Sequence, residues 1–263
     1  MDNLYFELTR EFNQLGPTAV LSSGQAVVYY RLAIMSKDGD WIVRETADAC
    51  ARVLSVLSQY GARQRPSAPL DVRWLGGGWS SHFEFFDSRQ RRLRCDFVSR
   101  PPRVPDQALA AMFQGVASTE PLLVVDREVL IRLKQTARAK DYAVIGELAR
   151  QLPPHEEIQW TTDVDRLLEL SALVDRPSSR PSVQAARSGA GRSGVVAALA
   201  LEVDALQQSD RGRLVRYQEA AEAYLHRFRQ SALDRLPLEQ AHEAACRLAE
   251  ASLPRRPMGD DAP

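Results

Sequence analysis

Three aspartates have the types and spacing that suit metal-dependent chemistry. Asp38 and Asp40 are separated by one residue and precede the apolar run Trp41–Val43. Residues i and i+2 of a strand point to the same face, which brings both carboxylates near one point. Carboxylate oxygens are the ligands that Mg²⁺ prefers, and this ion keeps coordination positions for substrate phosphates. Taken alone, an Asp-Gly-Asp triplet is also common as a turn with solvated acids.

The third acid, Asp96, interrupts the strand-like run Arg92–Val98, RLRCDFV. An acid within such a strand is costly to bury unless it is paired or metal-bound. A lone aspartate there can also simply face solvent. On a strand beside the first pair, however, it would complete a metal site of the phosphoryl-transfer type.

A small polar turn, Leu21–Gly24, lies between a predicted strand and a predicted helix. Backbone N–H groups at such a turn can hold phosphate oxygens, and Gly24 would let a phosphate approach closely. Ser23 and Gly24 are therefore candidate nucleotide contacts. Many strand-to-helix turns contain serine and glycine for steric reasons alone.

The surrounding pattern predicts the elements that position these residues. Helical spacing of apolar residues covers Leu4–Leu15 and Glu45–Gly61, where Gly61 suits a left-handed cap. Alternation of apolar and polar residues instead predicts strands. These strands are predicted at Leu70–Leu75, His82–Ser88 and Arg92–Val98.

The character of the chain changes after Pro153-Pro154. Residues 1–152 are predicted to form a unit of helices and strands, and residues 153–253 a helical C-terminal region. A flexible loop is predicted near residues 176–194, where Ser, Gly, Pro and Arg are frequent. Residues 254–263 are predicted to be a disordered tail.

The composition of the chain argues against several classes of protein. Lys plus Arg and Asp plus Glu both total 34, so no global basic field favours non-specific nucleic-acid binding. Cys50, Cys95 and Cys246 are far apart, which argues against a disulfide framework and a zinc site. No secretory signal or membrane-length apolar run is present, and a cytoplasmic protein is expected.

Several segments, in order, resemble a known superfamily. LSSGQAVVYYR, then SKDGDWIV, then LRCDFV resemble the turn, acid pair and later acid of the nucleotidyltransferase superfamily. The stretch VLIRLKQTARAKDYAVIGELAR resembles the downstream segment of minimal nucleotidyltransferases related to the AbiEii toxin group. The resemblance runs from roughly Leu15 to Leu152 and leaves the C-terminal region uncovered.

The resemblance implies an α+β fold, a nucleotidyltransferase-like mixed sheet flanked by helices and followed by an α-helical C-terminal region. It implies transfer of a nucleoside monophosphate from an NTP to an RNA or protein hydroxyl, with tRNA or a protein as acceptor and a cognate antitoxin as partner. The implied Mg²⁺ ligands and catalytic residues are Asp38, Asp40 and Asp96. The implied nucleotide-binding residues are Ser23, Gly24, Lys37, Lys134 and Lys140.

Departures from the family pattern leave alternatives open. Gln25 follows Gly24, Gly39 separates the acids where an apolar residue is common, and Ser36-Lys37 precedes them. A non-catalytic module that binds nucleotide or a partner protein is the rival hypothesis. Lys140 and Asp141 match the motif, and a structural ion pair at a helix start is the alternative role for them. An Arg-rich segment either contacts RNA phosphates or is a solvated linker; its residues are Arg176, Arg180, Arg187 and Arg192.

Overall fold

A computed structural model of the chain describes residues 3–114 and 122–257. Its sheet has five strands in the order β1-β2-β5-β4-β3. Strands β2 and β5 run parallel, and the other neighbours are antiparallel. The expected mixed sheet flanked by helices is therefore confirmed. The strands are β1 (Ala19–Ser22), β2 (Asp38–Val43), β3 (Arg63–Gln64), β4 (Ser80–Phe86) and β5 (Arg92–Val98).

Helices make up most of the remaining described chain, and a long helical region follows the sheet as expected. The helices before and between the strands are α1 (Leu4–Phe12), α2 (Ser23–Tyr29), α3 (Ala47–Gln59) and α4 (Val72–Leu75). Those after β5 are α5 (Asp106–Ala111), α6 (Arg127–Lys134), α7 (Ala139–Ala149), α8 (Pro154–Glu157), α9 (Val164–Leu173), α10 (Pro181–Arg187), α11 (Gly191–Gln230) and α12 (Leu238–Ser252). A short 3-10 turn, Leu233–Arg235, separates the last two. None of the described helices is long and apolar enough to cross a membrane.

One face of the sheet is packed with aromatic rings. Trp41 of β2 stacks on Phe97 of β5 with centroids 5.2 Å apart, and Phe12 of α1 meets Trp41 edge-on. The Trp41 Nε1–H donates to Thr9 Oγ1 at 2.9 Å, which satisfies its polar group inside the core. Because side chains alternate along a strand, the neighbours of Trp41 and Phe97 must point to the opposite face.

The chain divides into two compact units, residues 1–125 with 215–263 and residues 126–214. The predicted boundary after residue 152 falls inside the second unit. Helices α6 and α7, assigned from sequence to the first domain, pack with the helices that follow Pro153. Thr162 Oγ1 donates to the Tyr142 carbonyl at 3.0 Å, and Arg150 pairs with Asp163 at 2.5 Å.

Two other sequence predictions need correction. The predicted strand Leu70–Leu75 is largely the short helix α4, whose N-cap Asp71 accepts a hydrogen bond from the Arg73 N–H at 2.8 Å. The predicted flexible loop near 176–194 contains α10 and the start of α11. Pro181 occupies the first turn of α10, where its fixed φ favours a helix.

The start of the predicted disordered tail is packed. The Trp79 Nε1–H donates to the Pro254 carbonyl at 2.8 Å, and the Arg255 guanidinium lies 4.3 Å from the Trp74 ring centroid. Indole rings offer both a donor and a cation-binding face, and the tail uses both. The remaining tail, residues 258–263, lies outside the described residues.

Candidate functional site

A row of polar residues crosses four strands of the sheet in the first unit. Ser22 of β1 pairs with Asp40 of β2, Asp40 pairs with Asp96 of β5, and Asp96 pairs with His82 of β4. Paired residues point to the same face of a sheet, here the one opposite the stacked rings. Asp38 lies two residues before Asp40 and shares this face. Three acids from two segments far apart in sequence thus lie on one face of two neighbouring strands.

Hydrogen bonds orient the Asp96 carboxylate from the β4 side. His82 Nδ1 lies 2.8 Å from Asp96 Oδ1, and His82 Nε2 lies 2.8 Å from Ser80 Oγ. An ionised carboxylate only accepts, so Nδ1 carries the proton in this pair. Arg65 Nη1 adds a longer contact to the same oxygen at 3.9 Å. Asp96 is therefore held by cationic or donor groups on one side.

Asp38 has one carboxylate oxygen that is buried without a hydrogen bond. Among the described residues, Asp38 Oδ1 has no hydrogen-bond partner, although Arg94 Nη1 lies 3.5 Å away. The strand register explains this neighbour, because Asp38 pairs with Arg94 across β2 and β5. A buried acceptor without a donor is costly, and a bound cation would satisfy it.

The donor set suits a hard divalent cation, but the side chains do not converge. Within residues 3–114 and 122–257, no three His, Cys, Asp or Glu side chains form a group that could hold a metal ion. Asp38 is turned toward Arg94 and Asp96 toward His82. Metal binding at this site therefore requires Asp38 to exchange its Arg94 contact for the cation, whereas Asp96 contacts His82 and Arg65 through Oδ1 and can bind the cation through Oδ2. The carboxylate chemistry and the unsatisfied Asp38 oxygen fit such an ion.

Gly39, which separates two of the acids, is required by packing. A Cβ there would lie 2.4 Å from the Trp41 ring and 2.5 Å from the Tyr5 ring. The Tyr5 hydroxyl donates to the Lys37 carbonyl at 2.7 Å, which fixes that ring over the strand. Gly39 also pairs with Cys95 of β5 within an unbroken ladder. The departure from the family pattern therefore has a local structural cause.

The turn that carries Ser23 and Gly24 begins beside the polar row. Ser22 Oγ donates to the Asp40 carbonyl at 3.1 Å, and Ser23 has a left-handed φ of 47°. A Cβ on Gly24 would lie 2.2 Å from Ser36 Oγ, so the close approach of Ser36 accounts for the glycine. Helix α2 has seven residues and a correspondingly small dipole. The turn is placed beside the acids, and its glycine has a packing role.

The candidate lysines lie in different parts of the fold. Lys37 is exposed and directly precedes Asp38. Lys134 and Lys140 belong to the second unit. Lys134 is buried and lies 3.6 Å from Asp141, whereas Lys140 is exposed. Asp141 also pairs with Arg138 at 2.8 Å. In the second unit, the aspartate of the Lys-Asp motif, Asp141, is thus buried and pairs with Lys134 and Arg138.

Three arginines of the predicted loop bind groups within the second unit. Arg180 pairs with Glu202 at 2.9 Å, and Arg192 pairs with Asp165 at 3.0 Å. Arg187 donates to the Val174 carbonyl at 2.6 Å. The fourth, Arg176, lines a cavity of about 570 Å³ in this unit. The contacts of Arg180, Arg187 and Arg192 give these three arginines structural roles that a solvated linker would lack.

His82, Arg65 and Arg94 complete the site, and the sequence analysis missed all three. His82 and Arg94 alternate with buried Phe83, Leu93 and Cys95, which is the signal that places them on the polar face. That signal becomes specific only with the strand register. Pairing of His82 with Asp96 and of Arg94 with Asp38 comes from contacts between distant parts of the chain.

Comparisons with known proteins add little to this description of the site. No family model and no curated protein matches the chain. Two solved structures do. One is a proposed nucleotidyltransferase from H. pylori, with 14% identity and a TM-score of 0.40, covering 80% of this chain and 94% of the other. The second is JHP933 from Helicobacter pylori, with 14% identity, a TM-score of 0.40, and coverage of 80% and 92%. No role is carried over from likeness at this level.

Proposed function

We propose that the chain is a metal-dependent nucleotidyltransferase that transfers a nucleoside monophosphate from an NTP to an acceptor hydroxyl. The observation that carries the proposal is the register of β2 and β5. It sets Asp40 beside Asp96, with Asp38 on the same face. The order of the turn, the acid pair and the later acid along the sequence supports the same chemistry.

In this proposal, Asp38 and Asp40 hold Mg²⁺ together with the triphosphate, and Asp96 completes the site. The ion supplies stabilisation of negative charge on the phosphates and on the pyrophosphate leaving group. The acceptor oxygen forms a bond to the α-phosphorus while the bond to the bridging oxygen of the β-phosphate breaks. The hydroxyl proton leaves toward Asp96 or solvent. His82 fixes the orientation of the Asp96 carboxylate on the polar face of the sheet.

Nucleotide transfer tests this proposal. The full-length protein is incubated with each α-labelled NTP, Mg²⁺, and total tRNA or cell lysate. We expect label on one class of acceptor with the wild type and at least a hundredfold less with Asp38→Ala, since the lost carboxylate binds the ion. The matched control is Asp234→Ala, an exposed acid elsewhere in the first unit. Equal transfer by wild type and Asp38→Ala would contradict the proposal.

One observation favours a second candidate, a non-catalytic nucleotide-binding module. Asp38 and Asp96 face Arg94 and His82 rather than a common point. A module of this kind would bind NTP without label transfer to any acceptor. The same assay, run beside an equilibrium NTP-binding measurement, separates the two candidates.

The identity of the acceptor and the biological setting rest on the sequence resemblance. We propose tRNA or a protein hydroxyl as acceptor, a cytoplasmic location, and a role as a toxin with a cognate antitoxin. Expression without a partner gene would then arrest growth, and Asp38→Ala would relieve the arrest. Growth arrest by both forms would argue against this role.

A further inference from the structure

A basic cleft of about 540 Å³ lies beside Asp38 in the first unit. Its walls come from the start of α1, the loop before β2 and the start of β5. Four cationic side chains and one acid line it, namely Lys37, Arg91, Arg92, Arg94 and Asp38. The whole chain has no net charge, so this concentration of positive charge is local.

Three of the four cations of the cleft are available to an anionic ligand, because Arg91 is bound to Asp87 at 2.7 Å through both Nε and Nη2. Lys37 is exposed, and the side chain of Arg92 is 45% exposed. Arg92 Nε lies 3.8 Å from Glu84 Oε2, and Arg94 Nη1 lies 3.5 Å from Asp38 Oδ1. These separations are too long for good charge-assisted hydrogen bonds, so a phosphate oxygen can compete for the guanidinium groups.

The arrangement fits a repeating anion better than a single one. Arg92 and Arg94 share one face of β5 and are two residues apart, roughly 6.8 Å along the strand. Ile34 and Met35 are 99% and 76% exposed at the rim, where nucleobases or ribose can pack. We infer that this cleft binds the phosphate backbone of a single-stranded nucleic acid whose end reaches Asp38.

This inference rests on the proposed function, because the bound nucleic acid would be the acceptor of the transferred nucleotide in place of a protein. The binding itself needs neither NTP nor turnover. A bound strand would run along Arg92 and Arg94 toward the acids, and its terminal hydroxyl would approach the metal-binding face. Affinity would depend steeply on salt, since phosphate contacts release counterions.

The test is fluorescence anisotropy of a labelled single-stranded RNA oligonucleotide with the full-length protein and no NTP. We expect Lys37→Gln with Arg92→Gln to weaken binding on the order of tenfold and to reduce the salt slope by about 0.7 per lost contact. The charge-conserving pair Lys37→Arg with Arg92→Lys should retain binding. Arg235→Gln with Arg247→Gln removes the same charge from exposed sites outside the cleft and should leave the affinity unchanged.

Other outcomes would overturn the inference. Unchanged RNA affinity in the Lys37 and Arg92 double variant would contradict it, as would an equal loss in the control pair. Loss of inorganic triphosphate binding with RNA binding intact would identify a site for the nucleotide's own phosphates. Displacement of RNA by polyglutamate at equal concentration would indicate an acidic protein partner. Loss of RNA binding by the double variant supports the inference even if label transfer is never observed.

Discussion

The contact between His82 and Asp96 ties one of the three acids to the neighbouring strand. The histidine is 31% exposed and the aspartate 26%, so the pair lies at the surface of the polar face. A carboxylate with a fixed orientation binds a metal more tightly than one that must be ordered first. His82 is thus a positioning residue, because it acts through Asp96.

Removing this donor should weaken metal binding. We expect His82→Phe to reduce Mn²⁺ affinity by roughly 10–100-fold, the range seen when a metal ligand loses its hydrogen-bond partner. His82→Asn keeps an N–H donor near the position of Nδ1 and should recover much of the affinity. Titration calorimetry with Mn²⁺ measures both variants directly. Wild-type affinity in His82→Phe would show that the histidine has no such role.

At the scale of the elements, the register between strands decides which residues meet. Alternation in RLRCDFV and the apolar run after Asp40 predicted β5 and β2 correctly. The alternation in LDVRWL misled, because Asp71 caps a helical turn and both Trp74 and Leu75 are buried. Insertion of β5 between β2 and β4 comes from long-range pairing, which local periodicity does not encode. The strands that carry the acids were therefore predictable, and the residues that neighbour the acids were not.

Strand β2 should be sensitive to any side chain at Gly39. A methyl group there meets the Trp41 and Tyr5 rings at 2.4 and 2.5 Å, and both rings are held by the core. We expect Gly39→Ala to lower the free energy of unfolding by about 1–3 kcal/mol, as overpacking of a core does. Urea denaturation measures this change. In the Tyr5→Leu background the penalty should shrink, since one of the two rings is gone. A neutral Gly39→Ala would contradict the packing explanation.

At the scale of the whole molecule, the first unit is built from two separate parts of the chain. Residues 215–263, which follow the second unit, belong to the first unit. Helix α12 packs its buried residues against that unit, and Leu238 joins the core beneath the sheet. The sequence predicted a helical C-terminal region but not that its last part belongs to the first unit. The signals at Pro153-Pro154 reflect local breaks in helices, whereas compact units depend on which helices pack together.

Half-buried His242 of α12 makes the packing of this helix sensitive to acid. Burial is the main cause that lowers its pKa below the ordinary value of about 6.5, with Arg73 acting in the same direction. The Leu70 carbonyl, Asp71 and Glu243 oppose the shift. Because the folded state disfavours protonation of His242, the unfolded state binds more protons than the folded state below about pH 6.5. Stability is fully present above that pH and is lost as the pH falls through the lower folded pKa.

The expected result is a fall in the urea unfolding free energy as the pH is lowered from about 7.5 to about 5. His242→Gln cannot titrate in this range, and its stability should change less over the same interval. Wild type and variant with the same pH dependence would show that other groups control acid sensitivity.

The central claim is that Asp38, Asp40 and Asp96 together bind a divalent cation with an NTP. Calorimetric titration of the full-length protein with Mn²⁺ and a non-hydrolysable NTP tests it most directly. We predict one saturable site in the wild type, loss of binding by at least tenfold in Asp40→Asn and in Asp96→Asn, and no change in the exposed control Asp234→Asn. Equal metal and nucleotide affinity in the wild type and in Asp40→Asn, whose side chain lies beside Asp96, would contradict the account.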